Sequence, residues 1–378
     1  MMKHVQRVTL TALVGAAIGL STATAAHAAL LQTNLVSDIA GLAQIQDPNL
    51  RNPWGVSFTA SSPFWVSDQG ASLATLYQVS DGTVTKRPLE VSMPTTAAGP
   101  QGPTGQVSNS TTSFLVNGAP SVFIFANLNG TISAWNPGAG TAAQVVATTP
   151  GAVYTGLAMG SGASGPLLYA ANGAQNRIDV FNGSFAPVTV PGGFVDTDPA
   201  LAGLVPFNVE NINGDIYVTY APAGRPAQIA AAEGSGAVAV FDAGGNLVRT
   251  LITDSALAAP WGMALAPAGF DGFGGDLLVG NFSFVASEIN AFDPVTGDLL
   301  GSIPIDVGTG NTPGGLWALT FGNGAAGGDP RTLYFTAGIN GEADGLFASI
   351  AAVPEPATLA MVALGLVALV VVRRRSEL

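Results

Sequence analysis

A repeat of about 50 residues constrains the fold of this chain more than any other feature of its sequence. The phrases NPWGVSF (52–58), APWGMAL (259–265) and GLWALTF (315–321) place Trp54, Trp261 and Trp317 in one register, and three looser phrases extend the series. The steps between successive units are 50, 51, 52, 54 and 56 residues, counted at Gly55, Gly105, Gly156, Asn208, Gly262 and Ala318. A period of this length indicates a propeller or another repeat array.

Each unit holds about four short segments with the chemistry of β-strands. The second segment, as in FWVSDQG or FIFANLN, is aromatic or β-branched and ends on small polar residues. The third ends on an aromatic residue in five units, and turn-forming sequences such as DAGGN and DPVTGD follow it. Six such units predict an all-β, six-bladed β-propeller over residues 29–352. An array of β-sandwiches or barrels is the alternative.

The sixth unit stops before its fourth strand. The segment LLQTNLVSD (30–38) is similar to NLVRTLITD (246–254), the fourth strand of another unit. We therefore expect the N-terminal strand to pair beside the strand around Phe347 and close the ring, which removes an open sheet edge.

The N-terminus has the pattern of a secretory signal peptide. Lys3 and Arg7 precede an apolar stretch, and the small residues Ala26 and Ala28 predict cleavage between Ala28 and Ala29. Residues 1–28 are thus expected to form a signal helix, with an uncleaved membrane anchor as the alternative.

The C-terminus combines three features in a fixed order. Pro354, Glu355 and Pro356 precede an apolar run (357–372), which Arg373, Arg374 and Arg375 follow. The run is 16 residues long, or ~24 Å as a helix, and can cross a bilayer that thins locally. The arginines place its end in the cytoplasm and the body outside.

This tail (353–378) resembles a PEP-CTERM sorting signal. The resemblance implies that an exosortase recognises Pro354, Glu355 and Pro356, removes the tail, and releases the body to the cell surface or extracellular matrix, often alongside exopolysaccharide. A plain C-terminal anchor is the alternative. The whole chain also resembles PEP-CTERM-tagged propeller proteins and, at lower similarity, NHL-type propellers; this resemblance implies no particular activity.

Composition excludes several catalytic classes. The chain has no cysteine, and its two histidines, His4 and His27, both lie in the signal peptide. The mature body therefore lacks the parts of Ser-His-Asp, Cys-His and histidine-ligated zinc sites. Lys86, its one lysine, is expected to be a solvated edge charge.

The charge of the body argues against nucleic acid as a partner. The whole chain has a formal charge of -12, and the body from 29 to 353 carries 7 Lys and Arg against 22 Asp and Glu, which gives -15. Such a surface repels phosphate backbones. It attracts cations and tolerates neutral polymers such as polysaccharide.

The ends of the second strands supply a candidate metal site. Asp68, Asn127, Asn172 and Asn281 share one column of the repeat, and in a propeller this column lies near one mouth of the axial channel. Their oxygens are ligands that suit Ca²⁺, and gluconolactonase-like propellers use Asp, Asn and Glu in such a place. The alternative is that these side chains cap strands and turns.

The repeated Trp54, Trp261 and Trp317 are expected to pack between blades, with a stacking platform for sugar rings as the alternative. Together these features predict an exported, surface-sorted propeller that binds carbohydrate or a surface protein without catalysis. A metal-dependent hydrolase or lactonase of the axial channel is the competing hypothesis.

Overall fold

Six sheets of four or five strands follow one another along the chain and form a ring. The computed structural model describes residues 30–97, 99–253, 256–270 and 272–352. The first strand of each sheet contacts the first strands of its two neighbours, and the sixth contacts the first, so that six strands surround one axis. The predicted six-bladed β-propeller is confirmed. The predicted signal helix and transmembrane helix lie outside the described residues.

The blades are numbered along the chain, and their strands are counted from the axis outward. Blade 1 contains Pro53–Ser57, Phe64–Asp68, Leu73–Ser80 and Thr83–Lys86. Blade 2 contains Pro103–Ser108, Phe123–Asn127, Thr131–Trp135 and Gln144–Thr148. Blade 3 contains Tyr154–Gly162, Gly165–Asn172, Arg177–Asn182 and Pro187–Val188. Blade 4 contains Leu204–Ile212, Asp215–Pro222, Ala237–Phe241 and Leu247–Ile252. Blade 5 contains Pro260–Leu265, Leu277–Asn281, Ile289–Phe292 and Leu299–Ile303. Blade 6 contains Leu316–Phe321, Leu333–Ala337, Leu346–Ala352 and, as its outermost strand, Leu30–Ser37.

A few short elements decorate the blades. The additional strands are Ile45–Gln46, Val91–Ser92, Leu115–Val116 and Ala119–Pro120. The 3₁₀ turns are Gln69–Ala71, Pro137–Ala139 and Pro199–Leu201, and the helices are α1 (Arg225–Ile229) and α2 (Ile339–Glu342). None of the helices in the described ranges is long and apolar enough to cross a membrane.

The N-terminal strand closes the ring as the sequence predicts. Leu30–Ser37 runs antiparallel to Leu346–Ala352, with Leu30 opposite Ala352 and Val36 opposite Phe347. Phe347 then packs against Phe64 of blade 1 at a ring-centroid distance of 5.3 Å. The last blade is therefore built from both ends of the described chain, and its packing against blade 1 joins the ring.

Every blade has a β-bulge at the same place. In blade 1, Pro53 lies opposite Asp68 and Val56 opposite Val66, so the first strand has one extra residue. The other five blades show the same shift between their first two strands. A bulge changes the direction in which a side chain points. The residues at the bulged position are Trp54, Thr104, Thr155, Phe207, Trp261 and Trp317.

The residue after the bulge marks a close approach between first strands. A Cβ on Gly55 would lie 2.5 Å from the carbonyl oxygen of Thr104 in the next blade, and one on Gly105 would lie 2.4 Å from the amide nitrogen of Leu157. Both distances are shorter than van der Waals contact, so glycine is required here. The glycines of the sequence repeat therefore reflect how tightly the blades converge on the axis.

Candidate binding site

The bulged positions place a cluster of aromatic side chains at the axis. We call Trp54, Phe207, Trp261 and Trp317 the axial cluster. The rings of Trp54 and Trp317 stack with their centroids 3.4 Å apart, and Trp261 meets the two edge-on at 6.1 and 5.6 Å. All four side chains are buried. The structure thus brings together the three tryptophans that the repeat singles out.

A pocket of about 400 Å³ opens beside this cluster, on the face where the second strands end. Blades 2 and 3 carry threonines at the bulged position where the other four carry aromatic rings, so space is left on their side of the axis. The wall residues are Asn52, Trp54, Gln69, Pro100, Leu128, Val153, Thr155, Gly173, Ala174, Val205, Phe207, Gly224, Arg225, Gln228 and Glu342. The pocket is mainly apolar, with a polar border at one end.

An ion pair forms the polar border of the pocket. Arg225 begins α1 in the loop after the second strand of blade 4, and Glu342 ends α2 in the corresponding loop of blade 6. Arg225 Nε donates a hydrogen bond to Glu342 Oε2 at 3.1 Å, and Nη2 donates to Oε1. Such paired contacts orient a guanidinium firmly. The side chains of Arg225 and Glu342 are 31% and 17% exposed.

Aromatic rings cover the guanidinium group of Arg225. Its Cζ lies 4.0 Å from the ring centroid of Phe282, 5.0 Å from that of Trp317 and 5.3 Å from that of Trp54. A cation over a ring face is attracted by the ring's quadrupole. Burial lowers the pKa of Arg225, while the Glu342 carboxylate acts in the opposite direction. Arg225 stays cationic near neutral pH because the guanidinium pKa is so high.

Asn52 connects the ion pair to the axial cluster. Its Nδ2 donates to Glu342 Oε1 at 3.0 Å and to Gln69 Oε1 at 2.6 Å, and its Oδ1 accepts from Trp317 Nε1 at 3.0 Å. Asn52 and Glu342 both have positive φ angles, +43° and +67°. This conformation is unusual for a residue other than glycine and persists where the surroundings fix it. The network therefore holds Glu342 in place.

Two hydrogen-bond donors of the pocket wall have no partner among the described residues. Trp54 Nε1 and Arg225 Nη1 are both buried and unpaired. A buried donor without an acceptor costs about 1–3 kcal/mol, so unpaired donors beside a pocket indicate where a ligand can bind.

The four predicted Ca²⁺ ligands hydrogen-bond to other groups rather than to one another. Asp68 accepts from the Thr75 hydroxyl, and Asn127 contacts the Thr131 carbonyl and the Ser133 hydroxyl. Asn172 contacts the side chains of Asp179 and Gln175. Asn281 contacts the backbone of Ala256 and Ala258. In the described ranges, no group of three or more Asp, Glu, His or Cys side chains is arranged to hold a metal ion. The Ca²⁺ site stays a prediction that these contacts do not support.

Two acids, the buried Asp68 and the half-buried Glu210, lie apart from the pocket. Burial raises the pKa of Asp68 well above its usual value, although the Thr75 hydroxyl acts against this. Glu210 lies in a much narrower part of the axial channel, a cavity of about 20 Å³ that Gly55, Gly105 and Trp261 also line. Burial raises the pKa of Glu210 to about 8. Neither acid belongs to the wall of the larger pocket.

Reasoning from the sequence did not identify Arg225 or Glu342 as site residues. The signal that was present is the length of two loops: AGRPAQIAAAEGSG follows the second strand of blade 4, and GINGEADG follows that of blade 6. Only the ring geometry shows that these two loops meet across the axis.

The predicted sorting residues fall in a recognised motif. Residues 352–375 match the model of the PEP-CTERM protein-sorting motif, which includes Pro354, Glu355, Pro356 and the three arginines. The chain is a six-bladed propeller with a PEP-CTERM sorting motif. The motif implies that this PEP-CTERM propeller is exported, processed by an exosortase and sorted to the surface. Residues 353–378, as well as Ala28 and Ala29, lie outside the described residues.

The sequence of the PEP-CTERM propeller is similar to two proteins of Acanthamoeba polyphaga mimivirus that are named as uncharacterized. One is 28% identical over 84% of this chain and 78% of its own length. The other is 28% identical over 68% of this chain and 70% of its own length.

Solved structures with a similar fold include two lyases. Virginiamycin B lyase from Staphylococcus aureus has a TM-score of 0.50 and 13% identity, and covers 86% of this chain and 99% of its own. A streptogramin B lyase has a TM-score of 0.50 and 11% identity, and the match covers 86% of this chain and 97% of the lyase chain. At these identities the likeness shows the fold alone.

Proposed function

We propose that the PEP-CTERM propeller is a non-catalytic binding module of the cell surface or extracellular matrix, and that the pocket beside the axial cluster binds carbohydrate. The observation that carries this proposal is the combination, in one pocket, of buried aromatic walls with two unpaired donors, Trp54 Nε1 and Arg225 Nη1.

The pocket has the size and chemistry of a small-molecule site. Its volume of about 400 Å³ lies within the range of roughly 300–1,000 Å³ that is usual for ligand pockets. The half-buried Leu128 and Val153 offer apolar surface to the faces of a sugar ring, while Arg225, Gln69 and Gln228 offer polar groups to its hydroxyls. The acidic body does not oppose a neutral polymer.

The proposal includes the route to the surface. A signal peptide cleaved between Ala28 and Ala29 would start export, and the tail beyond residue 353 would anchor the body until an exosortase removes it. Exopolysaccharide, or a glycosylated surface protein, would then be the partner at the axial pocket.

A blocked pocket tests the function. Ala174 is exposed at the pocket wall, so Ala174→Trp should fill the pocket at little cost to folding. Ala325 is exposed on the opposite face, in the loop between the first two strands of blade 6, and Ala325→Trp is the matched control. We expect the full chain and the control to bind glycans on an array and the Ala174→Trp variant to lose that binding. If all three proteins bind alike, the pocket is not the site.

The lactonase hypothesis requires carboxylates and carboxamides that converge on one ligand. Asp68 and Asn172 instead make separate contacts, with Thr75 and with Asp179. The distinguishing measurement is hydrolysis of a lactone and ester panel, with and without Ca²⁺, by the wild type and by an Asp68→Ala, Asn172→Ala double variant. Hydrolysis that the double variant loses would favour the enzyme.

A further inference from the structure

The unpaired groups of the pocket wall are both hydrogen-bond donors. Trp54 is 3% exposed, and its Nε1 is buried without an acceptor; Nη1 of Arg225 is in the same situation. The guanidinium carbon lies 5.3 Å from the Trp54 ring centroid, so the two donors belong to one region of the wall. An indole N–H and a guanidinium can only donate. The ligand must therefore supply acceptors to both.

The charge of the Arg225 donor favours an anionic acceptor over a neutral one. Among the described residues that line the pocket, Arg225 is the one cation and Glu342 the one anion, so the wall itself carries no net charge. The opposing Glu342 is already engaged, because its Oε2 accepts from Arg225 Nε and its Oε1 accepts from both Arg225 Nη2 and Asn52 Nδ2. Nη1 takes no part in this pairing and, although buried, has no acceptor among the described residues. Hydrogen bonds between a charged donor and a carboxylate are about twice as strong as neutral ones.

We propose that the pocket selects sugar rings that carry a carboxylate, as in the hexuronate units of acidic polysaccharides. This inference rests on the carbohydrate-binding function proposed above. One carboxylate oxygen accepts from Arg225 Nη1 and the other from Trp54 Nε1. Leu128 and Val153 face the apolar side of the ring, and the side-chain amide of Gln228, which hydrogen-bonds to no described residue, is left for a hydroxyl group.

Calorimetric titration of the full chain with methyl glucuronide and methyl glucoside tests the selection, because the two sugars differ only at the carboxylate. We expect the glucuronide to bind about tenfold or more tightly than the glucoside, since a charge-assisted hydrogen bond contributes that much. Arg225→Gln should reduce the ratio to near one. The control Arg331→Gln, at a side chain that is 72% exposed and outside the pocket, should leave the ratio unchanged.

A second variant keeps the test decisive if Arg225→Gln does not fold. Trp54→Phe removes one donor but keeps the aromatic ring, and it should reduce the preference for glucuronide by about threefold or more. Equal affinity of the wild type for the two sugars would overturn the carboxylate inference and leave carbohydrate binding intact. Binding of neither sugar, together with no signal on the glycan array, would overturn both.

Discussion

Arg225 and Glu342 are 117 positions apart in the sequence, yet their side chains form a two-bond ion pair beside the axial cluster. Each comes from a loop at the end of a second strand, one in blade 4 and one in blade 6. The ring geometry that brings them together also creates the pocket beside them.

Loss of the Glu342 carboxylate should destabilise the protein. In Glu342→Gln, the partly buried guanidinium of Arg225 loses its counter-charge, and we expect the free energy of unfolding to fall by about 1–2 kcal/mol. The double variant Arg225→Met, Glu342→Gln should recover part of this loss because it no longer contains an uncompensated cation. Urea denaturation of Glu342→Gln, of Arg225→Met and of the double variant measures the coupling between the two side chains; strictly additive losses of the free energy of unfolding would show that the pair is not coupled.

Two tryptophans of the axial cluster should respond differently to replacement by phenylalanine. Trp261 Nε1 donates to the Thr155 carbonyl at 2.9 Å, whereas Trp54 Nε1 has no described partner. Trp261→Phe leaves a buried carbonyl without a donor and should lower the free energy of unfolding by about 1–3 kcal/mol. Trp54→Phe removes an unpaired donor and should cost clearly less. Thermal unfolding of the two variants, which lose the same atoms, makes the comparison direct; an equal loss would contradict the assignment of the free donor.

Asp68 should make the protein less stable as the pH rises. Burial raises the pKa of its carboxyl in the folded state, so the folded protein keeps a proton that the unfolded chain releases above its ordinary pKa. Stability is therefore greatest below that ordinary value and falls as the pH rises toward the folded-state pKa. Blades 2, 3 and 5 have Asn127, Asn172 and Asn281 at this position, and an asparagine does not ionise.

The variant Asp68→Asn should consequently be more stable than the wild type at pH 8, by about 1 kcal/mol or more, and similar to it at pH 4. Denaturant titrations across this pH range measure the difference. If the stabilities of the wild type and the variant change with pH in parallel, Asp68 is not the group that makes stability depend on pH.

Ring closure can be captured by a disulfide in this cysteine-free chain. Thr33 lies directly opposite Ser349 in the pairing of the N-terminal strand with the last blade, and such pairs have Cα atoms about 4.5–5.5 Å apart, which suits a disulfide. Thr33→Cys with Ser349→Cys should form an intramolecular disulfide under mild oxidation. Thr33→Cys with Ser108→Cys, a residue of blade 2, should not. Mass spectrometry of the oxidised proteins decides; cross-linking in neither or in both would argue against the closure.

The ring could be predicted from the sequence because each blade repeats the same local chemistry. The glycines after the bulge, such as Gly55 and Gly105, mark the close approach of the first strands, and the likeness of residues 30–38 to a fourth strand predicts the closure. The binding site could not be found in this way. Arg225 and Glu342 lie in loops that depart from the repeat, and their meeting depends on distances across the axis.

The repeat predicts where the four proposed Ca²⁺ ligands lie on their strands, but not which groups their side chains contact. The repeat correctly aligned Asp68, Asn127 and Asn281 at the ends of second strands, where they lie opposite Pro53, Pro103 and Pro260. A shared position on the strand does not fix which way a side chain faces. Here the polar groups meet nearby hydroxyls and backbone atoms instead of a common ligand.

If the function proposed here is right, the pocket beside the axial cluster holds a sugar ring. A crystal structure of the full chain grown with methyl glucuronide would show this. We expect density for the sugar within hydrogen-bonding distance of Trp54 Nε1 and Arg225 Nη1. An empty pocket in crystals of a protein that binds the same sugar in solution, or density for the sugar elsewhere on the propeller, would contradict it.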